Sequence, residues 1–176
     1  MQLFFLLLLL VVPYFVLTLA GRVDRRFDIA PRLRARVGLT LFFLFTAMGH
    51  FARTAAMAEM LPPWVPYRVE MIYVTGVLEL LGAIGVWVPG LTRLTGICLI
   101  VMLIGLLPSN VYSAFNRVEF GGHGAGPIYL LVRVPFQIFV IWWTYFATGQ
   151  NWFGKGDRLT AADRQAASNR PAGKLE

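Results

Sequence analysis

Val69-Glu70-Met71-Ile72-Tyr73-Val74-Thr75-Gly76-Val77-Leu78-Glu79-Leu80-Leu81-Gly82-Ala83-Ile84-Gly85-Val86-Trp87-Val88 is the stretch that decides the fold. Its length is what a helix rising ~1.5 Å per residue needs to cross a ~30 Å hydrocarbon layer. Apart from Glu70 at its edge it is uncharged except for Glu79, halfway along. A carboxyl group at that depth costs several kcal/mol unless it faces a partner or a wet cavity. One run therefore predicts both a membrane-spanning helix and a polar site inside the bundle that contains it.

Outward from this run, four more apolar stretches cover about residues 2–20, 37–57, 91–114 and 128–147. They are separated by Pro62-Pro63-Trp64-Val65-Pro66, by the turn Pro89-Gly90 and by the glycine-rich Gly121-Gly122-His123-Gly124-Ala125-Gly126-Pro127. Across 176 residues, 57% are hydrophobic and only 14% charged, far below the roughly 25% of a soluble domain, which excludes a water-soluble enzyme. The expected fold class is all-α: a polytopic membrane helix bundle, with a four-helix core and one extra N-terminal transmembrane helix. The organisation reads as an N-terminal helix at 1–20, a basic cytoplasmic loop at 21–36, the core at 37–147 and a flexible polar cytoplasmic tail at 148–176. The first stretch has no Lys or Arg before it, and Thr18-Leu19-Ala20 is a poor cleavage site, so it reads as a retained helix rather than a signal peptide.

Sixteen basic residues produce a net charge of +7. Arg22, Arg25, Arg26, Arg32, Arg34, Arg36, Arg93, Lys155, Arg158, Arg164, Arg170 and Lys174 fall on one side of the predicted membrane, and Arg53, Arg68 and Arg117 on the other. Positive charge is retained on the cytoplasmic side, which predicts the N-terminus outside and the C-terminus inside a bacterial cytoplasmic membrane. The basic loop is then a topology determinant with affinity for anionic lipid headgroups, and no nucleic-acid partner is expected. Cys98 is the single cysteine, so there is no intrachain disulfide or thiolate cage, and with only His50 and His123 as imidazoles no metal site is expected.

Five polar groups fall inside the predicted spans: His50, Glu79, Asn110, Arg133 and Gln137. Counted inward from the outer ends, Arg133 lies about 8 Å deep, Gln137 about 14 Å and Glu79 about 16 Å, with His50 and Asn110 near the outer ends of their helices. Arg133 and Gln137, four residues apart, share a helix face. All five occupy the outer half of the membrane on four helices. One reading makes Glu79 and Arg133 a buried ion pair, with the others as hydrogen-bonded glue between helices. The other makes the group a pocket in which His50 and Glu79 move protons and Arg133 holds an anionic or carbonyl oxygen. Gly76, Gly82 and Gly85 suit close helix approach, and their second use is to make room for a flat ligand beside Glu79. Trp142, Trp143 and Tyr145 suit an interfacial aromatic belt. The segment Met60–Tyr67 reads as a lid over the outer mouth, carrying Trp64.

Gly49-His50-Phe51, Met60-Leu61-Pro62-Pro63-Trp64-Val65-Pro66, Thr75-Gly76-Val77-Leu78-Glu79-Leu80-Leu81-Gly82, Pro108-Ser109-Asn110-Val111-Tyr112 and Val132-Arg133-Val134-Pro135-Phe136-Gln137 with Trp142-Trp143 resemble, in this order, the DoxX family of small bacterial membrane proteins. The resemblance covers about residues 36–147 and implies a four-helix bundle, from which the first helix departs as an added anchor. It further implies a subunit of a membrane oxidoreductase, working with a partner subunit and a quinone as the ligand or cofactor. On that implication His50, Glu79 and Arg133 are the candidate catalytic residues, and Asn110, Gln137, Tyr112, Trp64 and Gly82 bind the ligand. The architecture is also similar to EXPERA-type sterol isomerases, which implies an isomerase using His50 and Glu79 as acid and base on a lipophilic substrate. A third possibility is a non-catalytic assembly or structural subunit, and bundles of this size often form homo-oligomers.

Overall fold

The computed structural model describes residues 2–24, 26 and 29–149. Among them the chain is entirely helical. α1 spans Gln2–Val23, α2 Pro31–Ala52, α3 Thr54–Ala58, α4 Arg68–Gly85, α5 Thr92–Gly105, α6 Leu107–Phe115 and α7 Leu130–Thr148, with a 3-10 segment at His123–Tyr129 leading into α7. Four segments are long and apolar enough to cross a membrane: Gln2–Val23, Pro31–Ala52, Thr92–Phe115 and His123–Thr148. α4, at 18 residues, carries Arg68, Glu70 and Glu79 and is not among these four. It crosses the bundle beside them as the element that contributes the buried carboxylate.

α2 is the hub. It packs on α4 and α7, α5 packs on both of those, and the four close into a ring with α1 laid outside against α2. The predicted four-helix core with an added N-terminal helix is therefore the architecture found. Leu39 and Phe43 of α2, Leu10 of α1, Val86 after α4 and Val140 of α7 are fully enclosed in the common core. Outward faces carry Phe4, Phe15, Leu81, Leu94, Val101, Leu131, Ile138 and Trp142, all exposed. Apolar surface on this scale does not survive against water and is the exterior of a membrane bundle.

Local chemistry sets the breaks. α2 begins at Pro31 rather than at Val37, because proline at the first helical position loses only an N–H that had no partner anyway. The last part of the predicted basic loop is thus helix, and its arginines have work inside the bundle. Arg34 donates from Nη1 to Thr18 Oγ1 on α1 (3.2 Å), and Arg36 donates from Nε to the Ala147 carbonyl in the last turn of α7 (3.0 Å). At the other end of α2, Thr54 Oγ1 donates to the His50 carbonyl (2.7 Å), satisfying an acceptor where the helix stops. The predicted 91–114 helix is one span in two pieces, parted at Leu106 ahead of Pro108, whose ring cannot continue the ladder.

Two expectations change. Trp143 is buried and donates from Nε1 to the Ala35 carbonyl of α2 (3.1 Å), so only Trp142 and Tyr145 face outward as belt residues. Replacing Trp143 by phenylalanine should cost about 1 kcal/mol, read as a lower midpoint of unfolding in detergent; an unchanged midpoint would show that the bond contributes nothing. The other concerns the glycine-rich connector between spans, which reads from composition as a flexible loop and is folded. Gly121, Gly122 and Gly126 take positive φ, Tyr129 Oη donates to the Gly121 carbonyl (2.5 Å), and His123 is buried edge-on against the Tyr129 ring. The expected polar tail beyond Gly149 lies outside the described residues, as does Arg25 of the basic loop.

Candidate ligand-binding site

Of the polar residues of the spans, His50, Glu79, Asn110 and Gln137 are buried and Arg133 is half-buried, and they gather into two groups. In the first, α2 and α4 approach closely at Gly76, where a Cβ would sit 2.8 Å from His50 Cβ. That approach brings His50, near the end of α2, beside the middle of α4. His50 Nδ1 lies 3.0 Å from the Ile72 carbonyl and 3.1 Å from Thr75 Oγ1, and His50 Nε2 lies 3.6 Å from Glu79 Oε1. A carbonyl only accepts, so Nδ1 carries a hydrogen and donates to it. Nε2 then faces the carboxylate. The 3.6 Å separation is an ion-pair distance rather than a formed hydrogen bond.

The second group lies on α6 and α7. Arg133 donates from Nε to Asn110 Oδ1 (3.2 Å), and Asn110 in turn donates from Nδ2 to the Leu106 carbonyl (2.9 Å), the acceptor freed by the α5–α6 break. One turn along α7, Gln137 Nε2 donates to the Leu103 carbonyl of α5. Arg133 lies within electrostatic reach of Glu79, Tyr129 and His123, which joins the two groups across the bundle. Its partner is Asn110, however; the Glu79–Arg133 ion pair does not form, and Glu79 pairs with His50 instead.

Several polar atoms remain unspent. Glu79 Oε2, Gln137 Oε1 and His123 Nε2 are buried with no hydrogen-bond partner. For Gln137 the orientation is set, because its amide nitrogen is held by Leu103, leaving the oxygen as the free acceptor. Arg133 has only its Nε engaged in a hydrogen bond, so its Nη donors are available. Buried polar atoms of this kind are costly and are met by water, an ion or a ligand, or are held as strain. Together they offer a cationic donor fork, an amide acceptor and a carboxyl oxygen that accepts or donates with its protonation, a set complementary to a ligand carrying both a carbonyl and a hydroxyl or N–H group.

The other expected ligand residues sit differently. Tyr112 is half-buried on α6, in the turn that follows Asn110, and its carbonyl accepts from Asn116. Gly82 is buried, but the space beside it is filled by the Leu99 side chain of α5. Trp64 is 81% exposed: the Met60–Tyr67 segment is anchored through Leu61 against Ala58 and Ile72, which leaves the indole outside. Thr75 and His123 were not singled out as site residues from the sequence. Thr75 had a signal, since it lies four residues before Glu79 on the same face of α4. His123 had none, because its burial depends on the glycine turns that fold the connector back on Tyr129.

The model of a family described as Domain of unknown function (DUF8561) matches residues 39–148, which take in both groups of polar residues, all of α4, α5 and α7 and α2 from Leu39 onward. No curated protein and no solved structure matches the chain.

Proposed function

We propose that this chain, which belongs to the DUF8561 family, binds a small lipophilic molecule with a hydrogen-bonding head, a quinone, at the His50–Glu79 and Arg133–Asn110 groups, and serves as a subunit of a membrane oxidoreductase. The observations that carry the reading are a buried Glu79 Oε2 and a buried Gln137 Oε1 without hydrogen-bond partners, and an Arg133 that donates a hydrogen bond only from Nε, on helices of one four-helix ring. A quinone supplies two carbonyl oxygens that become hydroxyls on reduction. Arg133 Nη groups would hold one oxygen, and the Glu79 carboxyl, with His50 beside it, would exchange hydrogen with the other. The resemblance to DoxX proteins supports the choice of a quinone, and the charge distribution supports a bacterial cytoplasmic membrane with the N-terminus outside. On this reading electrons come from a partner subunit, and the chain's own residues bind, orient and move protons.

The test is to purify the chain in mild detergent and record its absorbance and native mass spectra. Wild type should retain a quinone, and His50→Ala and Arg133→Leu should lose it while remaining folded. An empty wild type, or equal retention in both variants, would overturn the reading. The His50–Glu79 contact also favours a second reading, an isomerase that moves a proton along a lipophilic alkene. It predicts solvent hydrogen exchange into such a substrate by the purified chain, lost in Glu79→Gln.

A further inference from the structure

Beside the polar region, α4 and α5 leave an apolar groove of about 250 Å³. Leu78, Leu81 and Gly82 form its α4 wall, and Leu94, Cys98 and Met102 stand on its α5 wall. The α5 lining runs from Leu91 to Met102 in successive helical turns, so the groove extends for about 16 Å along the helix. One end reaches the α4–α5 turn. The other adjoins the polar groups: Leu78 precedes Glu79 in the chain, Gly82 follows it by one turn, and Met102 precedes Leu103, whose carbonyl anchors Gln137. Neither Glu79 nor Gln137 lines the groove, but Glu79 follows its lining residue Leu78 in the chain, and Gln137 is tethered to Leu103, which follows its lining residue Met102.

We infer that the ligand of the polar site is a single-chain amphiphile, its polar head among Glu79, Gln137 and Arg133 and its apolar chain laid along the α4–α5 groove past Gly82. The inference rests on the binding function proposed above and narrows its ligand to membrane quinones and amphiphiles of the same form. Shape selects this occupant. Spread over ~16 Å, this volume is long and narrow, the form of an extended hydrocarbon chain rather than of a compact ring system. The volume also exceeds the ~150 Å³ that admits one benzene yet falls short of the ~300 Å³ at which compact drug-sized ligands begin. The groove's walls are leucine, methionine, glycine and Cys98, with the Thr95 hydroxyl as the polar exception. They offer a chain apolar contact and give a second polar head nothing to bind.

Cys98, the single cysteine and an exposed one, reports on the groove without mutation. The native chain is treated with membrane-permeant N-phenylmaleimide in the presence of decyl-substituted or methyl-substituted benzoquinone, each at saturation of the polar site. The decyl probe should slow Cys98 labelling at least tenfold and the methyl probe less than twofold. In Cys98→Trp, and independently in Leu94→Trp should that variant fold better, the preference for decyl over methyl should fall at least tenfold while methyl binding is unchanged. Equal labelling with both probes, or an unaltered preference in the tryptophan variants, overturns the chain placement and leaves the head site intact. If neither probe binds the native chain in a His50-dependent way, the head site fails, and the chain placement with it.

Discussion

Replacing Gly38 by leucine should detach α1 from the bundle and lower its stability by about 3 kcal/mol or more. Gly38 sits where α1 and α2 cross, and a Cβ there would collide with the Leu10 carbonyl oxygen and come within 3.0 Å of its carbon. These are backbone atoms and have no rotamer by which to yield. Leu10 is completely enclosed and Leu6 nearly so, and widening the crossing would expose both and stretch the Arg34–Thr18 hydrogen bond. Detergent unfolding monitored by tryptophan fluorescence should show the loss directly, because Trp143 packs against Tyr14 of α1. Gly38→Ala should give a smaller loss in the same direction. A leucine variant with the wild-type midpoint would mean that α1 is not held at this crossing.

The second large effect is expected at the His50–Glu79 pair. Breaking a buried pair by removing one partner costs about 3–5 kcal/mol, while replacing both by apolar groups is often neutral or stabilising. His50→Leu leaves Glu79 buried with neither oxygen contacted, since Oε2 has no partner and Oε1 meets only His50. Glu79→Leu leaves Nε2 facing hydrocarbon. Each single variant should therefore be several kcal/mol less stable, and the double variant should recover most of that loss. Ligand retention should behave otherwise, with no recovery in the double variant, because binding needs the Glu79 carboxyl itself. Charge-assisted hydrogen bonds of about 2–3 kcal/mol set the expected loss of affinity at roughly 30- to 150-fold. A double variant that is stable and still binds would remove Glu79 from the site.

The elements recoverable from the sequence are those whose signal is local. The run at residues 91–114 was legible as a span because hydropathy over a turn of helix does not depend on neighbours, and the structure places α5 and α6 there. Pro108 carried the break within it. The start of α2 was misplaced because Arg32, Arg34 and Arg36 read as loop; two of them are in fact tied to Thr18 and Ala147, acceptors on other helices that no local pattern displays. Trp143 likewise had the composition of a belt residue, and only the proximity of the Ala35 carbonyl turns it inward.

The same division runs through the site. Sequence by itself determined that this is a helical membrane bundle and which polar side chains it must hide, because crossing a bilayer requires internally satisfied backbone and makes every ionisable group in a span conspicuous. Only the tertiary structure decided who pairs with whom: His50 with Glu79, Arg133 with Asn110, Gln137 with the Leu103 carbonyl. Partner choice depends on how far each helix is rotated and how closely it approaches its neighbour. Those quantities are set by contacts such as Leu10 on Gly38 and His50 on Gly76, between residues 26 or more positions apart in the chain.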